Sequence, residues 1–237
     1  MWSDAVDLRD FYTSILGRVA GRMIGRRLRI LWPDVSGMNV LGLGYAIPYL
    51  RQFNAEAMRI IAAMPAAQGA IQWPLDGVVV TTLVDENNLP FPDRSFDRVL
   101  LVHGLECAER TRPMMREIWR VLADGGRLIV VAPNRRGLWA RFEISPFGHG
   151  QPYTERQLSR SLRESMFTPH AATTALFVPP IRSRMVLSSA AACERVGERW
   201  FPSFAGVVVF EATKQIYAGR FSFDPVRRPA YVAIPTR

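Results

Sequence analysis

From Val6 to Leu28 apolar side chains return at intervals of three and four: Val6, Phe11, Ile15, Leu16, Val19, Met23, Ile24 and Leu28. That spacing gathers them on one face of an α-helix. It predicts a single N-terminal helix over residues 5–31, ended by Trp32-Pro33-Asp34. Inside it Gly17, Gly21 and Gly25 recur at every fourth residue. Each costs about 0.8–1 kcal/mol relative to alanine in a helix interior, so the row implies close approach of another backbone or of a ligand. Beside the glycines Arg18, Arg22 and Arg26, continued by Arg29, form a basic stripe. The stripe reads either as a solvated face or as an RNA or phosphate site, and its charges exclude a membrane dimerisation motif.

The pattern then changes. Val40-Leu41-Gly42-Leu43-Gly44-Tyr45-Ala46-Ile47-Pro48-Tyr49-Leu50 reads as a buried strand turning sharply into a helix, with glycines for the turn and Pro48 suited to the first helical position. Alone, this turn fits a ligand loop and a plain tight turn equally well. Residues 48–58 fit the helix that follows, 59–64 a second strand closed by Pro65, and Leu83-Val84-Asp85 the end of a third. Residues 98–103 are a buried strand, 110–122 an amphipathic helix with Met114, Met115, Ile118, Val121 and Leu122 inward, and 127–132 the next strand. Thr154 is a candidate cap for a helix running to Met166-Phe167, before strands at 172–178 and 205–212. Residues 219–237, with three prolines and four arginines, read as an extended tail.

Composition narrows the setting. With 237 residues, 49% hydrophobic and 22% charged, the chain suits one main globular α/β domain. No segment reaches the roughly 18 uninterrupted apolar residues of a membrane span, so a cytoplasmic protein with no membrane partner is expected. Cys107 and Cys193 have no ligand spacing, which argues against a disulfide framework and against a metal site. The net charge of +9 is almost entirely arginine, since Lys214 is the only lysine. Such a surface is compatible with an anionic substrate, nucleic acid or an acidic partner, and codon composition alone also produces it.

Three linked stretches carry a family resemblance: Leu89-Pro90-Phe91-Pro92-Asp93-Arg94-Ser95-Phe96-Asp97, His103-Gly104-Leu105-Glu106, and Glu117-Ile118-Trp119-Arg120-Val121-Leu122-Ala123-Asp124-Gly125-Gly126-Arg127-Leu128. In order and spacing they resemble the central motifs of class I S-adenosylmethionine-dependent methyltransferases, more narrowly the branch with many small-molecule enzymes. The resemblance implies a Rossmann-like α/β fold: a mostly parallel seven-stranded sheet closed by an antiparallel C-terminal hairpin, with helices on both faces. It divides the chain into an N-terminal helical extension (1–36), a methyltransferase-like domain (37–218) and the tail (219–237).

S-adenosyl-L-methionine is the implied cofactor, with Gly42, Gly44, Tyr45, Asp85, Glu86 and His103 as its candidate contacts. Asp85 matches the carboxylate that accepts from the adenine amino group, or it is a turn residue bonded to its own loop. Two departures stand out. Gly42 replaces the usual acid of the glycine-rich loop, with Ala46 and Pro48 where further glycines are usual, and Ala63 and Met64 occupy the place of the ribose-binding acid. His103 and Tyr153 are the catalytic candidates. Asn134, Arg135, Arg136, Trp139, Arg141 and His149 are the candidates for holding substrate. Two functions follow: methyl transfer to a small-molecule or anionic acceptor, or an inactive methyltransferase-fold binding protein that engages a protein or nucleic-acid partner through its basic helix.

Overall fold

A computed structural model describes residues 4–216. The N-terminal periodicity belongs to two helices: α1 (Ala5–Thr13) and α2 (Ile15–Leu31). Ser14 breaks them apart. Its backbone is extended, its amide closes α1 on Phe11, and its hydroxyl accepts from the Gly17 amide to cap α2. Gly17 is required at this corner, since a Cβ there would lie 1.9 Å from the Phe11 carbonyl oxygen. Gly21 and Gly25 face the rings of Tyr12 and Tyr49. The glycine row is therefore a packing seam, and Arg18, Arg22 and Arg26 lie on the exposed side.

The remaining order is β1 (Asn39–Gly44), α3 (Ile47–Leu50), β2 (Arg59–Pro65), β3 (Thr81–Val84), β4 (Phe96–Val102), α4 (Thr111–Val121), β5 (Leu122–Pro133), α5 (Glu155–Glu164), β6 (Phe167–Ala175), α6 (Arg184–Ser188), α7 (Ala190–Trp200) and β7 (Val207–Lys214). The helix expected over 48–58 is a single α-turn continued by a 3-10 turn at Arg51–Phe53. β6 starts five residues before its expected position, and α6 and α7 had no counterpart in the sequence reading. The expected tail lies outside the described residues.

The strands form one seven-stranded sheet in the order β3-β2-β1-β4-β5-β7-β6, parallel except where β7 runs against both β5 and β6. This is the anticipated Rossmann-like methyltransferase fold. Side chains alternate between the faces with the strand period of two. Leu100, Val102, Ile129, Val131, Val207 and Val209 point to α1, α2 and α3, while Leu101, Leu128, Val130, Val208 and Phe210 point to α4 and α5. Each such buried Val, Leu, Ile or Phe contributes about 1.5–3 kcal/mol. α5 begins with a capping box between Thr154 and Gln157, worth about 1 kcal/mol. No described helix is long and apolar enough to cross a membrane.

The order of connection reverses between β1 and β4. The chain leaves β1 toward β2 and β3, then returns to lay β4 on the other side of β1. In open α/β sheets ligands bind in the crevice outside the strand carboxyl ends at such a point.

Candidate active site at the carboxyl ends of β1 and β4

The crevice is built from backbone first. Gly44, at the end of β1, has φ +80°, and a Cβ there would stand 2.2 Å from the Val102 carbonyl oxygen. The Tyr45 amide donates to that same oxygen at 2.8 Å. Two strand ends are thus held backbone to backbone, which only glycine permits. Gly42 lies deeper, where a side chain would meet Leu50 and Ala46. Its smallness is required by the packing of α3 on β1.

His103, directly after β4, has φ +52° and is almost fully buried. Its Nδ1 lies 3.1 Å from Glu106 Oε1 and its Nε2 lies 2.7 Å from the Tyr12 hydroxyl, which in turn lies 2.8 Å from the Tyr49 hydroxyl. With the imidazole neutral and Glu106 ionised, Nδ1–H donates to the carboxylate, Nε2 accepts from Tyr12, and Tyr12 accepts from Tyr49. Burial pushes the Tyr12 and Tyr49 hydroxyls well above the usual phenol value and that of Tyr45 up to about 12, so all three remain protonated donors at neutral pH. The Tyr12 ring stacks on Tyr45 with centroids 5.7 Å apart, and Phe147 lies 4.8 Å from the His103 ring. Tyr12 therefore bridges the ends of β1 and β4, with α1 laid over the crevice. The Ala5 amide ties the start of α1 to the Gln68 carbonyl, and the Gln68 amide donates to the His103 carbonyl. Two buried acceptors here, Gln68 Oε1 and Glu106 Oε2, have no donor.

The other sequence candidates fall in two groups. Asp85 is exposed and its carboxylate accepts from the Asn87 amide at 2.8 Å, an Asx turn within its own loop. Glu86 beside it is half-buried. Beyond β5, Asn134 is buried and donates to the Ser203 and Ala205 carbonyls. Arg135 donates to the Pro152 carbonyl, and Trp139 is buried with its indole N–H on the Val178 carbonyl. These three hold backbone. Arg136 and Arg141 are exposed, and His149 Nε2 lies 3.3 Å from the Glu143 carbonyl. Tyr153 is half-buried beside the end of β5, its amide donating to the Pro133 carbonyl and its phenol raised by burial.

Tyr12, Tyr49, Gln68 and Phe147 were not anticipated, and Glu106 only as part of a motif. Glu106 follows His103 by three residues, the one local signal for their contact. Among the described residues no group of three or more His, Cys, Asp or Glu could hold a metal ion.

Over residues 41–130, from β1 into β5, the chain is similar to the methyltransferase domain family. It is 29% identical over 129 residues to ajmaline N-methyltransferase of Rauvolfia serpentina, covering 53% of this chain and 40% of that protein. It is 30% identical over 130 residues to demethylmenaquinone methyltransferase of Corynebacterium efficiens, covering 55% and 56%. The chain thus spans about half the length of these curated relatives. Among solved structures, a SAM-dependent methyltransferase of Thermotoga maritima superposes with TM-score 0.62 at 16% identity, covering 90% of this chain and 98% of that one. The cyclase SpnF superposes with TM-score 0.58 at 24% identity, covering 83% and 81%.

S-adenosylmethionine is the cofactor this methyltransferase family implies. The unpaired acceptors Gln68 Oε1 and Glu106 Oε2 suit a ligand rich in N–H and O–H donors. The space between the ends of β1 and β4, however, is filled by Tyr12. These acceptors fit the group, and the crevice is covered.

Proposed function

We propose that the chain is a SAM-dependent methyltransferase whose α1 covers the cofactor crevice and withdraws when cofactor enters. Tyr12 carries this reading, because one side chain closes the crevice by bonding to His103 and Tyr49 and stacking on Tyr45. The cofactor supplies a methyl group already activated on a sulfonium. That chemistry would leave the protein mainly to align two reactants. Alignment provides roughly 7–11 kcal/mol of the barrier in favourable cases.

Withdrawal of Tyr12 frees the Nε2 lone pair of His103. Glu106 holds Nδ1–H and so keeps that lone pair directed into the crevice, where it takes the proton of a hydroxyl or amine acceptor. Gln68 and Glu106 are the side chains with acceptors to spare for cofactor donors. Tyr153 and the exposed Arg136 and Arg141 border the carboxyl end of β5, where an anionic or aromatic acceptor would lie.

The test is calorimetry with S-adenosylhomocysteine on the parent chain and on Tyr12→Ala. The variant should bind at least several-fold more tightly, since the parent spends binding free energy on opening. Failure of both proteins to bind at saturating ligand would replace this reading with the inactive, partner-binding one.

A further inference from the structure

At the carboxyl edge of the sheet two segments lie side by side. The first follows β5 and exposes Leu138, Phe142 and Ile144; the second ends α7 and exposes Val196, Trp200, Phe201 and Phe204. Asn134 joins them through its bonds to the Ser203 and Ala205 carbonyls. Gly137 presses them together, since a Cβ there would stand 2.2 Å from the Ala205 carbonyl oxygen. Trp200 is 68% exposed, unusual for an indole. Val196 and Trp200 are four apart on α7, one row of its outer face, and Arg195 and Arg199 form the adjacent row.

Basic residues outnumber acidic ones here, with Glu143 between Phe142 and Ile144 and Glu198 on α7 as exposed acids. Arg136, Arg141, Arg195 and Arg199 make no ion pair among the described residues. Of the nearby acids, Glu198 is held by Arg27 at 2.6 Å. Arg195 also lines a cleft of about 470 Å³ between α2 and α7, with Arg26 and Arg27 beside Glu194 and Glu198.

We infer that this face docks on an anionic lipid bilayer, with Trp200, Phe201, Phe204 and Phe142 entering the interface and the four arginines on headgroup phosphates. Aliphatic groups among the aromatics favour hydrocarbon over stacked bases. Unpaired guanidinium groups around them complement an anionic surface, the arrangement of interfacial proteins. The expectation of no membrane partner rested on the lack of a spanning segment, and an interfacial face needs none. The surface borders the crevice mouth, yet the inference stands apart from methyl transfer, because its readout needs neither cofactor nor turnover.

The full chain is floated with vesicles of phosphatidylcholine containing phosphatidylglycerol, and with vesicles of phosphatidylcholine alone. Binding is expected on the first only, weakening as salt rises. Trp200→Ser with Phe204→Ser, and separately Arg195→Glu with Arg199→Glu, should each lower partitioning by on the order of tenfold. Both pairs are exposed, and thermal midpoints close to the parent's would establish that folding is intact. Absence of binding, equal binding to both vesicles, or unchanged binding by both variants overturns the inference. So does capture of single-stranded RNA in place of vesicles, or a dimer in light scattering that Trp200→Ser dissolves.

Discussion

β4 enters and leaves the sheet through two polar clusters built on opposite principles. At its leading end, where Arg94 has φ +55°, Arg120 of α4 donates to the Leu89 and Phe91 carbonyls at 2.8 Å and to Asp93 and Glu117 at 2.7 Å. Glu117 in turn accepts from the Leu89 amide at 2.9 Å. A turn without regular structure is thereby held rigidly, and each charge meets its opposite. At the trailing end His103 likewise adopts a left-handed backbone, a conformation costing of order 1 kcal/mol outside glycine, but here two buried acceptors lack donors. The first cluster is complete without a ligand; the second is incomplete without one. Unsatisfied buried groups are tolerated where a fold works, and are offset elsewhere.

The largest break in that contrast is Arg120→Ala. It removes the bonds to both carbonyls and leaves Glu117, largely buried, without its cation. A loss of about 3 kcal/mol of stability is expected; a loss under about 1 kcal/mol in urea unfolding would show that the turn is held by its apolar residues instead.

Glu117→Gln is milder, about 1–2 kcal/mol at neutral pH. Arg120 holds the Glu117 carboxyl below the usual carboxylate range. A group so depressed contributes stability above its unfolded pKa, about 4.3, and that contribution is lost as pH falls through the lower folded value. Urea midpoints followed from neutral to acid pH should therefore fall more steeply in the parent than in Glu117→Gln. Parallel curves would remove the ion pair from the account of acid stability.

The leading end was legible and the trailing end only half so, for physical reasons. Strands β1, β4 and β5 are buried on both faces and read as apolar runs, and the turn before β4 is written in one continuous stretch with Arg120 in a nearby motif. β6 was placed late because Phe167–Ala175 is an edge strand with Thr168, His170, Thr173 and Thr174 among its side chains and a register shift between Pro169 and Ala171. The apolar run after it drew the expectation onward. α1 and α2 share one apolar periodicity, so the break at Ser14 was hidden. α7 was missed because it turns apolar residues outward. The cover over the crevice joins Tyr12 to His103 across 91 positions, and no local pattern encodes that meeting.

Tyr12→Phe keeps the stacking on Tyr45 and removes both hydroxyl bonds. A stability loss of about 1 kcal/mol is expected, with S-adenosylhomocysteine bound more tightly because the cover is loosened. Weaker binding would make Tyr12 a ligand contact rather than a cover.

The smallest effect on stability, and the one that sharpens the contrast most, comes from making the same exchange at the trailing end. In Glu106→Gln the amide oxygen still accepts from His103 Nδ1–H, and the change removes a buried charge whose second oxygen has no partner. Stability should shift by less than about 1 kcal/mol in either direction, whereas Glu117→Gln breaks a satisfied network. The ¹⁵N spectrum of the His103 ring distinguishes the causes. Retention of the Nδ1–H tautomer means that Glu106 acts by position, and a switch to Nε2–H means that its charge selects the tautomer. A loss as large as that of Glu117→Gln would erase the distinction, because the Glu106 carboxylate would then be as firmly held as its counterpart across β4.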